Sequence, residues 1–139
     1  MKFMVCYDGS PESKEALKLA QQQAKAFGGT IEIVKTISRD SALKRSFIEE
    51  AEEELNREAA EIMGESEIPF SAQLLIGSLS AGEQIVKFAR DEEINQIFVG
   101  IEKRSKVDKL VFGSTAQYVI LQAPCPVVTV RGFSGKKKR

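Results

Sequence analysis

Phe3-Met4-Val5-Cys6-Tyr7-Asp8-Gly9-Ser10-Pro11-Glu12 is the stretch on which the fold turns. Its uncharged opening has the pattern of a buried strand, and Asp8-Gly9 stops it with a turn. Ser10 can then cap a helix. Pro11 suits the first helical position, where its missing N–H is not needed, and Glu12 complements the positive end of the helix dipole. Ala16, Leu17, Ala20, Ala24 and Phe27 follow at helical spacing, and Gly28-Gly29 ends the run. A buried strand that passes through a tight turn into a helix is the opening of a βαβ unit.

The same alternation continues along the chain. Ile31 to Ile37 reads as the second strand. From Asp40 to Met63 the periodicity predicts a long helix with Leu43, Phe47, Ile48, Ala51, Leu55, Ala59, Ile62 and Met63 on one stripe. Glu49, Glu50, Glu52, Glu53, Glu54, Glu58 and Glu61 occupy the rest, which at helical spacing reads as a solvated face and not as a metal site. Phe70 to Ile76 is the third strand, and Ser80 with Glu83 forms a capping box for a helix through Arg90. Ile94 to Gly100 is the fourth strand. A helix from Gly113-Ser114-Thr115 to about Gln122 and a last strand over Pro126 to Val130 complete the pattern. Strands alternating with helices imply right-handed crossovers and a parallel sheet covered on both faces. Ligands of such sheets sit at the carboxyl ends of the strands, where strand order reverses. The strand ends punctuated for that role are Tyr7-Asp8-Gly9-Ser10, Gly77-Ser78 and Gly100.

Bulk properties narrow the function. A chain of 139 residues, 42% hydrophobic and 29% charged, has the size and composition of one globular domain. Its start lacks the long apolar run of a signal peptide, and no stretch approaches the roughly 20 apolar residues of a membrane span. A soluble, cytoplasmic protein is expected. With no histidine, the commonest general base and metal ligand is missing. Cys6 and Cys125 form neither a disulfide framework nor a metal spacing and read as small buried hydrophobes. Net charge is zero, but residues 103–139 carry +8 and the rest −8, which would steer an anion to the C-terminal part.

Gly100-Ile101-Glu102-Lys103-Arg104-Ser105-Lys106-Val107-Asp108-Lys109-Leu110-Val111-Phe112-Gly113-Ser114-Thr115 is the strongest local feature. A strand ends at a glycine, a cationic loop follows, and a Gly-Ser-Thr turn starts a helix whose free amides could receive a phosphate. The same residues allow a plainer reading, in which Gly113 turns the chain and Ser114 caps the helix. Neither a P-loop nor a dinucleotide-binding glycine motif is present.

Tyr7-Asp8-Gly9-Ser10, Gly77, the Gly100–Thr115 segment and Ala123-Pro124-Cys125-Pro126-Val127-Val128 fall at intervals that resemble the universal stress protein family along nearly the whole chain. The resemblance implies a five-stranded, parallel, Rossmann-like sheet in the order 3-2-1-4-5, spanning residues 1–131. The basic tail 132–139 would be mobile, and with no interleaved aromatics to stack bases it would solubilise the end and not bind nucleic acid. The family's ATP signature is Gly, two residues, Gly, nine residues, Gly, then Ser or Thr. Gly100 and Gly113-Ser114 match its ends, and Arg104-Ser105 agree with it. Lys103 stands where the second glycine would be, and Lys106 replaces a further loop glycine.

The resemblance further implies an adenine nucleotide, ATP or AMP with or without Mg²⁺, as ligand of a stress-response regulator. Asp8, within Tyr7-Asp8-Gly9-Ser10, would hold adenine or ribose. The backbone near Thr36 would meet the adenine edge, and Gly113, Ser114 and Thr115 the phosphates, with Gly100, Lys103 and Arg104 contributing from the loop. Catalytic residues are not identified, and turnover would at most be weak ATP hydrolysis. A homodimer through Val127, Val128, Thr129 and Val130 is expected. The alternative is a nucleotide-free dimeric interaction module of the same family.

Overall fold

The computed structural model describes residues 1–38, 43–104, 109–110 and 113–131. β1 (Lys2–Cys6) leads into α1 (Pro11–Phe27), β2 (Thr30–Ser38), α2 (Arg45–Met63), β3 (Phe70–Gly77), α3 (Ala81–Asp91) and β4 (Gln96–Ile101). A short pair, β5 (Lys103–Arg104) and β6 (Lys109–Leu110), precedes α4 (Ser114–Gln122) and β7 (Val127–Arg131). The main sheet is parallel in the order β3-β2-β1-β4-β7, which is 3-2-1-4-5 when its own five strands are counted. β5 and β6 form a separate antiparallel pair, Lys103 opposite Leu110 and Arg104 opposite Lys109. Two residues per strand are too few for a period-two pattern to register, so the sequence reads as loop there.

Local chemistry accounts for the element ends. Ser10 caps α1 by accepting from the Ser13 amide at 3.1 Å, and Gly28 closes that helix at φ 71°. Both halves of the Ser80–Glu83 capping box are made. α2 begins at Arg45, after an extended Lys44 with no side-chain cap. Leu43 and Lys44 are therefore not helical, and of the residues expected before them, Asp40 to Ala42 lie outside the described residues.

Each face of the sheet carries one core. Phe3, Val5, Tyr7, Ile31, Ile33 and Phe98 pack under α1 and α2, with Leu17, Leu55 and Met63 from the helices. Phe3 and Phe98 meet edge to face, centroids 5.8 Å apart. Met4, Val34, Ile97 and Val99 pack on the opposite face against Ile85, Val86 and Ala89 of α3 and Val119 of α4. The α2 stripe is buried only in its second half, at Leu55, Ala59 and Met63. Phe47 is 50% exposed, since periodicity fixes which residues share a face but not what that face meets. Among the described residues, no helix is long and apolar enough to cross a membrane.

Candidate functional site

β1 is the strand at which the order reverses. β2 and β3 lie on one side of it, β4 and β7 on the other. Chains leaving the carboxyl ends of β1 and β4 diverge and leave a crevice between them. A cleft of about 360 Å³ opens there, walled by Tyr7, Asp8, Ser10, Thr36, Gly100, Gly113 and Thr115 among others. Seven residues expected from sequence are thus brought together from the ends of three strands and the start of α4.

Of the other four expected residues, two are placed outside that wall. Gly9 lies behind it, lining a smaller cavity with Glu54 and Glu58. Ser114, one residue into α4, does not line the cleft, whereas Thr115 and Ala116 do. The side chains of Lys103 and Arg104 lie outside the described residues, and so do Ser105 and Lys106 entirely. The backbone of Lys103 is in β5, an extended conformation that a lysine adopts without strain. Gly77, one of the three punctuated strand ends, ends the edge strand β3 and stays out of the wall. The helix that follows it supplies Ala81 and Ile85 instead.

Asp8 is fixed by local bonds. Its N–H donates to Ser13 Oγ at 3.3 Å, and its carboxylate accepts from the Ser10 amide at 2.9 Å. Ser13 Oγ in turn donates to the Ser10 carbonyl at 3.0 Å. Gly9 permits this tight turn by adopting φ +86°, which an L side chain resists. Partial desolvation pushes the Asp8 carboxyl up, but the hydrogen bonds from Ser10 and Ser13 win and hold it below its usual value. It stands at the cleft as an anion that accepts hydrogen bonds at neutral pH.

Gly113 is the N-cap of α4, and among the described residues no side chain caps that helix. Ser114 therefore does not cap it, contrary to the plainer reading of this segment. Among the described residues the first-turn amides have no side-chain cap, and Gly113, Thr115 and Ala116 line the cleft. That is an arrangement able to receive an anion.

Several wall residues carried no signal in the sequence. Cys6, Ser13, Lys35 and Glu102 line the cleft, and only their adjacency to Tyr7, Ser10, Thr36 and Gly100 hinted at them. Burial, helped by the Asp8 charge, pushes the Cys6 thiol up to about 12. Lys35 is the single basic side chain of the wall among the described residues. Among the described residues, no three His, Cys, Asp or Glu side chains gather to hold a metal ion.

Gly100 has a second task. A Cβ there would meet the Glu12 carbonyl carbon at 2.6 Å and the Ser13 nitrogen at 2.7 Å. Only a glycine lets β4 approach the first turn of α1 so closely.

Residues 1–131 match the Universal stress protein family. A universal stress protein of Thermus aquaticus is 32% identical over 134 residues, covering 93% of this chain and 97% of that one. Among solved structures, a universal stress protein from Archaeoglobus fulgidus is 31% identical with a TM-score of 0.81, covering 94% of this chain and 98% of the other. A universal stress protein from Archaeoglobus fulgidus in complex with dAMP is 26% identical with a TM-score of 0.76, covering 94% and 97%. By its sequence over residues 1–131 and by its sheet order, this chain belongs to the universal stress protein family.

Proposed function

We propose that the protein binds an adenine nucleotide, ATP or AMP with or without Mg²⁺, and acts as a cytoplasmic stress-response regulator that holds the nucleotide more than it consumes it. The observation that carries this reading is that the start of α4, which has no side-chain cap, lines one cleft together with Asp8. A site for an anion and a hydrogen-bond acceptor for a sugar or base then share a space of about 360 Å³, which falls in the size range of small-ligand sites. The dAMP held by a relative 26% identical to this chain supports the same class of ligand. In this reading Tyr7, Asp8, Gly9, Ser10 and Thr36 serve the nucleoside, and Gly100, Lys103, Arg104, Gly113, Ser114 and Thr115 the phosphates. The domain is residues 1–131, with 132–139 as a basic extension.

Calorimetry with ATP and AMP, each with and without Mg²⁺, tests the proposal. Binding heat and a thermal shift that saturates are expected. No heat and no shift at millimolar ATP would reject it. The alternative of a nucleotide-free interaction module is favoured by one observation, a lysine at 103 where the signature has glycine. Absence of adenine nucleotide from an acid extract of the purified protein, together with silent calorimetry, would select that alternative.

A homodimer through β7 completes the proposal. β7 is a sheet edge, paired only with β4 among the described residues. The Ile97 N–H bonds to the Pro126 carbonyl. Alternation along a parallel ladder then turns the amides of Val128 and Val130 toward β4 and those of Val127 and Thr129 to the open edge. An edge with few charges pairs readily with its own copy about a two-fold axis.

A further inference from the structure

Behind the cleft lies a smaller cavity of about 120 Å³, lined by Tyr7, Asp8 and Gly9, by Lys35, and by Glu54, Leu55 and Glu58 of α2. Tyr7, Asp8 and Lys35 line both spaces. The Tyr7 side chain is 4% exposed, and its hydroxyl donates to Glu58 Oε1 at 2.5 Å across 51 residues of sequence. The same carboxylate oxygen stands 3.7 Å from the point where a Cβ on Gly9 would lie. One oxygen of α2 therefore binds the residue before Asp8 through a phenol and lies beside the residue after it. From the other side, Asp8 is bonded to Ser10 and Ser13 of α1.

Glu58 sits between Leu55 and Ala59, both buried, and is itself half-buried. Packing alone does not call for this pair. A phenylalanine facing an apolar partner fills the same space with little or no loss of stability. A phenol set on a carboxylate adds direction, because a charge-assisted hydrogen bond holds its donor to one place.

We propose that Glu58 and Tyr7 are positioning residues for the nucleoside end of the cleft: Glu58 fixes, through the Tyr7 hydroxyl, the end of β1 that carries Asp8. The proposal rests on the nucleotide reading above and adds to it a dependence on α2. Lys35 lies beside the pair and sets one positive charge against Asp8, Glu54 and Glu58 around the small cavity.

Four variants test it: Tyr7→Phe, Glu58→Ala, the double variant, and Glu58→Gln, which keeps an acceptor oxygen. The first readout is amide hydrogen exchange of the ligand-free protein at Asp8 and Ser10. Exchange there should quicken about tenfold in both single removals, no further in the double, and return toward the parent rate in Glu58→Gln. The second readout is calorimetry with adenosine and with ATP. Both should weaken by the same factor, about three- to tenfold, in the single removals and recover in Glu58→Gln.

Unchanged exchange at Asp8 and Ser10 overturns the tether, as do effects that simply add in the double variant. Faster exchange spread evenly over β4 and α3 also overturns it, because that marks general destabilisation. Loosened exchange with unaltered adenosine affinity overturns the positioning role. A parent protein that binds neither adenosine nor ATP overturns the nucleotide reading and with it the nucleoside half of this proposal, while the exchange data still decide the tether.

Discussion

Gly100→Ala is the substitution whose cost the structure sets most directly. The added Cβ would stand 2.6 Å from the Glu12 carbonyl carbon, 2.7 Å from its oxygen and 2.7 Å from the Ser13 nitrogen. All three atoms are backbone in the first turn of α1, so no side chain can swing aside. Comfortable carbon contacts begin near 3.5 Å, so β4 and α1 must part by roughly 0.9 Å. Overpacking of this kind costs about 1–3 kcal/mol, and the stiffer unfolded chain returns about 0.5 kcal/mol. The net loss is about 1.5 kcal/mol, which lowers the Tm of a chain this size by roughly 4–8 °C. Urea and thermal denaturation of the parent, Gly100→Ala and Gly77→Ala measure it. Gly77 is the control, because nothing lies within 4 Å of its added Cβ. The same displacement moves Ser10 and Ser13, which hold Asp8, so nucleotide affinity should fall in Gly100→Ala and hold in Gly77→Ala. A Gly100→Ala midpoint within about 1 °C of the parent would refute the close approach of β4 to α1.

The remaining predictions concern charge, edge and thiol. Lys103→Gly should weaken ATP about three- to tenfold and leave adenosine unchanged, as expected when a cation at the phosphate end is lost. Tighter ATP binding would show instead that the lysine blocks the site. Thr129→Pro removes an amide on the open edge of β7 and spares the β4 ladder, so light scattering should report a monomer that stays folded. An intact dimer would place the interface elsewhere. Val128 is a poorer choice for that test, since it packs against the core under α1. With its thiol raised from 9.0 to about 12, Cys6 should alkylate at pH 8 much more slowly than in the unfolded chain, because only the thiolate reacts. Mass mapping after iodoacetamide checks this, and equal rates in the two states would contradict it. The sign of the linkage also follows. Below about pH 9 the thiol is protonated in both states, and stability falls as pH rises above that value, because the unfolded chain releases a proton that the folded one keeps.

Much of the fold was legible because its signals are short-range. The Ser10 and Ser80 caps act between residues three positions apart, and the αL turn at Gly28 is a property of one residue. Apolar runs and helical stripes named the five strands of the main sheet and the four helices, with ends shifted by a residue or two except at α2. The resemblance to a family supplied the strand order and seven residues of the cleft wall. It could not say that Gly77 stays outside, because β3 is an edge strand two places from β1. That Gly113 and not Ser114 is the N-cap depends on backbone angles that a Gly-Ser-Thr sequence leaves open.

The long-range meetings belong to the tertiary structure alone. Tyr7 finds Glu58 across 51 residues, and Gly100 meets Glu12 across most of the domain. Nothing local marks either pair, since a glutamate on a solvated-looking helix face and a glycine at a strand end are common features. The sequence by itself determined the alternation of strand and helix, because hydrophobic period and capping bonds act within a few residues. Only the tertiary structure decided which of those residues share a wall, because that follows from sheet order and from how closely each helix is allowed to lie on the sheet.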